Sequence, residues 1–419
     1  MKTHNEVHFD RSFQFKPSRR YGGFSGWQGL RAYTFGILAF LLLFAFVTPC
    51  SAYGADSVNS YVASVLQLVQ EHREALPRLI APANATADAL VHGSEFYLAG
   101  DKGWVIEGLG RAGGLMVVRQ LSESKSPAKG DVVWISYLPE TYAAAEQQAK
   151  ELEDKGCLVV AFGPRLASGA PHFTHWIDSL TPPNADDNLT RMGNVISLWT
   201  LTAEVAASAS RQGKTLVFWQ SIAMGGSSGR NALYRGKVFH DGLPQMVSTP
   251  PGVLSQDYLV YIQNMLLNIR EWELAKIIAV GKEMARQAAE GHPAVIMVES
   301  HMMPYAVNLN SNLFHFVEKP DELQSQLHRG GLLVDFGYDG VYLDLWQKVH
   351  AAGATAAWIV SPHASEVHFS RFGDVVINQH WAVGDCAVEA PGYDVRILPP
   401  SGIAQLFIYE TLLRAAGAQ

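Results

Sequence analysis

Two stretches of the chain carry the same succession of apolar and polar segments, two hundred positions apart. Gly130-Asp131-Val132-Val133-Trp134-Ile135-Ser136-Tyr137 and Gly330-Gly331-Leu332-Leu333-Val334-Asp335-Phe336-Gly337 are short apolar runs entered through glycine. Such a run is the pattern of a strand buried on both faces. Each leads into a helical stretch, at 140–155 and 340–352, that stops at Gly156 or Gly353, and each helix is followed by a second apolar run, at 157–162 and 355–360. Strand, helix and strand with short joins form the crossover unit of a parallel sheet. The flanks repeat as well. Helices are expected at 57–80 and 86–92 before a strand at 95–99, and a long helix at 257–290 before a strand at 294–298. Short strands at 176–177 and 374–377 and closing helices at 191–212 and 402–415 complete the two halves. The Gly-, Ser- and Pro-rich stretch 221–251 has no period and reads as a joining loop.

The N-terminus has a different pattern. Ala32 to Val47 is sixteen residues without a charge, after Arg19, Arg20 and Arg31 and before Pro49, with small residues around Ala52. This fits an export signal cleaved near Ala52 or Ala55, or an uncleaved membrane anchor. The body is then expected outside the cytoplasm, periplasmic or secreted. The expected organisation is a signal or anchor at 1–55, a first α/β domain at 56–215, a linker at 216–252 and a second α/β domain at 253–419.

Charge narrows the partners. Residues 1–55 hold six Lys or Arg against two acids, a net +4, which leaves 26 against 37, or −11, for the remainder. An acidic body does not attract nucleic acid. Three cysteines without a C-x-x-C pair fit neither a disulfide scaffold nor a zinc ribbon. The spacings between His363, His368 and His380 match no zinc helix motif, so no metal is expected. The sequence calls for no cofactor and leaves a homo-oligomer open.

The order of elements, with Gly130-Asp131 entering an apolar strand and Ser136-Tyr137-Leu138-Pro139-Glu140-Thr141 opening a helix, resembles the sugar isomerase (SIS) domain family in tandem. A looser likeness is Gly225-Gly226-Ser227-Ser228-Gly229-Arg230-Asn231, similar to a Gly-Gly turn ending in Asn in phosphosugar-binding relatives. The resemblance implies two five-stranded parallel sheets flanked by helices, and a sugar or phosphosugar as ligand, with aldose–ketose isomerisation as an activity of such proteins. The sequence departs from the pattern where phosphate is held. The first turn, Gly100-Asp101-Lys102-Gly103-Trp104, has no hydroxyl; the second has Leu138-Pro139 in place of Ser-Gly; the matching turn of the second half has neither Ser nor Thr. The rival expectation is a non-catalytic carbohydrate-binding or structural protein that keeps the fold and has lost the phosphate site.

In a parallel sheet, ligands gather at the carboxyl ends of the strands. Lys102, Ser136, Tyr137, Glu140 and Thr141 fall there in the first half, beside helix amides that favour an anion; the rival role for Glu140 or Thr141 is to cap the helix. Gly225, Gly226, Ser227, Ser228 and Asn231 offer amides and hydroxyls for a phosphate, or make a flexible linker. Glu299 and His301 end the first strand of the second half and suit a base and an acid for enolising a sugar; the plainer reading of His301 is a bond to a backbone carbonyl. The leader generates the first test: mass spectrometry of the native protein should find an N-terminus between Tyr53 and Asp56, whereas an intact Met1 on a cytoplasmic protein contradicts export.

Overall fold

The carboxyl ends of two parallel sheets set where anything can bind, and both sheets are built to one plan. A computed structural model describes residues 50–122, 126–166, 169, 171–338, 340–361 and 373–418, with side chains from Asp56 onward. The leader, and with it the expected signal or anchor, lies outside the described residues, as do Asp339, His363 and His368. No helix among the described residues is long and apolar enough to cross a membrane.

The first sheet joins β1 (Phe96–Gly100), β2 (Val118–Gln120), β3 (Val132–Ser136), β4 (Leu158–Gly163) and β5 (His175–Asp178), in the order β2-β1-β3-β4-β5. The second joins β6 (Ala294–Val298), β7 (Phe314–Val317), β8 (Leu332–Phe336), β9 (Thr355–Val360) and β10 (Val375–Asn378), in the order β10-β9-β8-β6-β7. Counted from its own first strand, each sheet runs 2-1-3-4-5, and every pairing is parallel. The repeat extends to single hydrogen bonds. The Gly130 amide donates to the Gly156 carbonyl and the Gly330 amide to the Gly353 carbonyl, both at 2.9 Å. All four glycines have positive φ. Gly100 is required for a different reason: a Cβ there would lie 1.8 Å from the Ser136 carbonyl oxygen.

Helices α1 (Cys50–Ala75), α2 (Ile80–Val91), α3 (Lys102–Gly108) and α4 (Tyr142–Asp154) belong to the first half, closed by α5 (Asp187–Arg211). α6 (Ser227–Tyr234) lies in the connecting stretch, so the expected joining loop 221–251 contains a helix. α7 (Val253–Asn268) and α8 (Leu274–Ala289) are one long helix interrupted by a π-turn at Ile269–Glu273. The second half continues with α9 (Met303–Ala306), α10 (Leu323–Gln326), α11 (Leu343–Ala351), a small β11–β12 ribbon at Val388–Glu389 and Arg396–Ile397, and α12 (Ser401–Ala415).

Alternation along the strands assigns the two faces of each sheet. Val132 and Trp134 of β3, and Leu332, Val334 and Phe336 of β8, enter one shared core. Val133 and Ile135 face a separate cluster under α4, and Leu333 one under α11. The shared core is filled by α5 and α12, whose residues are buried almost all round, as expected for helices enclosed by other elements. Several buried polar groups on α5 are paired: Asn194 donates to the Tyr137 carbonyl, His72 meets the Ser197 hydroxyl, and Glu204 accepts from the Gly252 amide and the Ser255 hydroxyl. Residues Cys50–Gln419 form one compact unit.

A buried ion cluster ties the halves together. Arg111, after α3, donates to Glu107 at 2.9 Å, to Asp385 of the second half at 2.8 Å and to the Ser401 hydroxyl that opens α12. Asp385 in turn accepts from the Ser401 amide and hydroxyl. Arg111 and Glu107 are 1% and 0% exposed. Burial opposes the charge on Arg111, but Glu107, Tyr338 and Asp385 hold the guanidinium protonated. Removing one member of such a cluster leaves charge buried without a partner, at a cost of about 3–5 kcal/mol. Arg111→Ala should therefore lower unfolding stability by that amount, while Arg119→Ala, which removes an exposed pair with Glu95, should change it by less than about 1 kcal/mol. Equal losses in denaturant titrations of the two variants would contradict this assignment.

Candidate functional site

Two cavities lie where the strand order reverses, one in each half. The first opens beyond β1 and β3, has a volume of about 690 Å³ and includes Asp101, Lys102, Ser136, Thr141 and Glu151 in its lining. The second opens beyond β6 and β8 and measures about 580 Å³. Both positions are the crevice expected of an open parallel sheet.

The first crevice contains most of the residues expected to hold an anion, but they are already engaged. The Ser136 hydroxyl accepts from the Asp101 amide at 3.0 Å, and the Thr141 hydroxyl accepts from the Leu138 amide at 2.9 Å. Pro139 has no amide hydrogen to offer. The Lys102 ammonium stands 4.9 Å from the centre of the Tyr305 ring. Asp101 caps α3 through the Trp104 amide and pairs with Arg191. Tyr137 is wholly buried, packs against Tyr142 and Phe173, and donates its hydroxyl to the Pro164 carbonyl. It is core rather than lining. Glu140 is exposed at the start of the turn, outside the cavity lining.

The second cavity draws its walls from three parts of the chain. Gly110–Ala112 come from the first half and Trp219–Ile222 with Ser228, Asn231 and Arg235 from the connecting stretch; Glu299–His301, Tyr338, Tyr342, Trp381 and Asp385 come from the second half. These walls are fixed. The Gly113 amide donates to the Trp219 carbonyl at 2.8 Å, and the Trp219 amide to the Gly114 carbonyl at 2.9 Å. Asn231 binds both backbone groups of Gln220, and Arg230 makes a forked pair with Asp394. Of the expected Gly-rich cradle, Ser228 and Asn231 reach the lining, whereas Gly225, Gly226 and Ser227 lie outside it. Asn231 acts by shaping the wall, since its amide is spent on Gln220.

Three polar atoms of the lining residues, Arg111 Nε, Ser300 Oγ and the Tyr338 hydroxyl, are closed off from the cavity. Four rings, from Trp219, Tyr338, Tyr342 and Trp381, line it. Tyr338 meets Trp381 edge-on at 5.9 Å and the Arg111 guanidinium at 5.9 Å. Glu299 accepts from the Tyr342 hydroxyl at 3.3 Å. Burial, and then the charge of Arg111, push the His301 imidazole down to about 4, so it is neutral at pH 7. Burial raises Glu107, behind Arg111, to about 7 against the pull of Arg111. Glu299 and His301, expected from sequence as base and acid, line one cavity. Arg111, Tyr338 and Trp381 were not singled out from sequence. Arg111 carried no motif, and its place depends on contacts with residues almost three hundred positions away.

Register shows what the second half exchanged for a phosphate turn. Gly100 pairs with Ser136 and Val298 with Phe336, so Phe336 takes the place of Ser136, and Glu299 that of Asp101. One step earlier on β8, Asp335 is 2% exposed, and its Oδ1 makes no hydrogen bond. No group of three or more metal-ligating side chains occurs among the described residues.

The fold has known counterparts. The chain is similar to a structure designated a candidate phosphosugar isomerase from Clostridium difficile 630, with a TM-score of 0.51 at 8% identity over 86% of this chain and 91% of that one. A second such structure, from Silicibacter pomeroyi DSS-3, gives 0.48 at 12% identity over 86% and 98%. The C-terminal domain of glucosamine-fructose-6-phosphate aminotransferase from Francisella tularensis gives 0.47 at 10% identity over 88% and 97%. No family model and no curated protein matches the chain. At these identities the likeness is one of fold: two five-stranded parallel sheets flanked by helices, the tandem SIS architecture expected from the sequence.

Asp335 generates a pH test. Burial and then the nearby Glu299 charge raise its carboxyl from 3.8 to about 8. The folded state thus holds a proton that the unfolded chain releases above about 4. This contribution to stability is fully present below pH 4 and is lost as the pH rises to 8. Asp335→Asn should match the wild type in melting temperature at pH 4 and exceed it by several degrees at pH 8.5. Parallel melting curves across that range would show that Asp335 is ionised in the fold.

Proposed function

We propose that this protein binds a sugar in the second cavity, without relying on a phosphate cradle. The observation that carries the reading is a cavity in which the polar side chains of Glu299, His301 and Arg235 stand with four aromatic rings. Sugar hydroxyls both donate and accept, and the apolar face of a sugar ring packs on an aromatic face. A cavity of about 580 Å³ is in the range of small-molecule sites. The carboxylates of Glu299 and Asp385 offset Arg111 and Arg235, which disfavours a strongly anionic group. The Clostridium difficile structure of like fold is designated a candidate phosphosugar isomerase, which supports a sugar as ligand.

Isomerase-type proton transfer is the finer reading, favoured because a neutral His301 and Glu299 line the same cavity. Glu299 takes the proton from the carbon next to the carbonyl and returns it to the former carbonyl carbon, while His301 moves the hydroxyl proton between the two oxygens.

Trp219→Ala and His301→Ala test the binding claim. Each removes a side chain from the cavity lining, so affinity for a cavity sugar should fall about tenfold by calorimetry. The panel comprises free aldoses, ketoses and amino sugars with their 6-phosphates. Unchanged affinity in both variants, or no binding across the panel, would refute the reading. Glu299→Gln should then spare binding and abolish any turnover.

A further inference from the structure

We infer that the second cavity takes a sugar acid, a sugar ring that carries one carboxylate, with the carboxylate held by Arg235; this deepens the sugar reading above and rests on it. The lining contains two basic side chains of the Lys or Arg kind, Arg111 and Arg235. Arg111 is engaged within the protein, by Glu107, Asp385 and the Ser401 hydroxyl. Arg235 is exposed and makes no hydrogen bond, ion pair or ring contact among the described residues.

Its neighbours along the chain behave differently. Arg230 makes its forked pair with Asp394 and also donates to the Phe218 carbonyl and the Tyr393 hydroxyl. Lys237 pairs with Asp241 at 3.0 Å. Of the basic side chains at 230, 235 and 237, the one that lines the cavity is thus the one left without a partner. Its mount is fixed. Arg235 directly follows α6, which Arg230 and Asn231 pin to Asp394 and to the Gln220 backbone. Ser228, Asn231 and Arg235 are spaced so as to share one face of that helix, and all three line the cavity. A guanidinium on a fixed backbone loses less freedom on binding than one on a mobile loop.

The chemistry of the lining selects the anion. A guanidinium presents a planar fork that a carboxylate meets with two parallel hydrogen bonds. A neutral sugar leaves that fork in water. A phosphate brings close to two negative charges and calls for several donors. Here the Gly225-Gly226-Ser227 turn lies outside the lining, and Phe336 stands where the first half has the Ser136 hydroxyl. Glu299, exposed in the same lining, repels a second negative charge. A single carboxylate is the anion that one free guanidinium balances.

The experiment is calorimetry on the full chain at low ionic strength, with glucuronate and galacturonate against glucose, galactose and their 6-phosphates. For at least one of the two sugars, the uronate should bind about tenfold more tightly than its neutral parent, and added salt should shrink that advantage. Arg235→Gln should bring the ratio of the two affinities close to unity, whatever it does to both alike. Arg235→Lys, which keeps the charge without the fork, should keep part of the ratio. Lys237→Gln removes an equal charge two residues away and outside the lining, and should leave the ratio as in the wild type, which separates contact with Arg235 from the general field of the surface. If the neutral sugars bind and the uronates bind no tighter, the sugar-acid inference is wrong and the sugar reading stands. If nothing binds, both fall. If the 6-phosphates bind more tightly than the uronates, or if Arg235→Gln keeps the uronate advantage, the anion is a phosphate or is held elsewhere, and the inference is overturned.

Discussion

The structure depends on one buried guanidinium. Arg111 is supplied by the first half, and two of its partners, Asp385 and Ser401, by the second. Its remaining partner, Glu107, fits so closely against the start of α12 that a Cβ on Gly402 would lie 2.4 Å from the Glu107 carboxylate. Burying this group is costly unless its bonds are made, so the two halves are held in the one arrangement that makes them. Arg111 also lines the second cavity. The side chain that joins the halves is thus part of the candidate site, and neither half could form that wall alone.

The two crevices show how one architecture can keep its plan and shift its chemistry. Strand order, register and the paired glycines repeat between the halves. The hydroxyls of the first crevice are absorbed into its own turn, through the Asp101 and Leu138 amides. In the second half, Phe336 and Glu299 stand where Ser136 and Asp101 stand in the first, and Asp335 adds a buried acid behind them. The opening between the halves sets Glu299, His301 and Arg235 beside aromatic rings.

Much of the fold was legible in the sequence because it rests on local signals. Uninterrupted apolar runs such as 132–136 and 355–360 gave strands, and Gly156 and Gly353 marked the ends of α4 and α11. The Gly130–Gly330 offset exposed the repeat. The edge strands β2 and β7 were not read, since Val118–Gln120 has only three residues and His315 interrupts β7. The helix α6 was hidden in a Gly- and Ser-rich stretch; its position is fixed by Arg230 and Asn231 binding distant or backbone partners. The site was half legible. Glu299 and His301 sit at a strand end, which sequence order reveals. Arg111, Tyr338 and Trp381 join them only through tertiary contacts. Tyr137 looked like a site residue by position, but alternation turns it into the outer cluster under α4.

A co-crystal structure with the tightest-binding sugar tests the central claim most directly. The account requires the sugar beyond β6 and β8, with hydroxyls within hydrogen-bond distance of Glu299, His301 or Arg235 and a ring face against Trp219 or Trp381. A sugar seated instead beyond β1 and β3, on Lys102, Ser136 and Thr141, would contradict it.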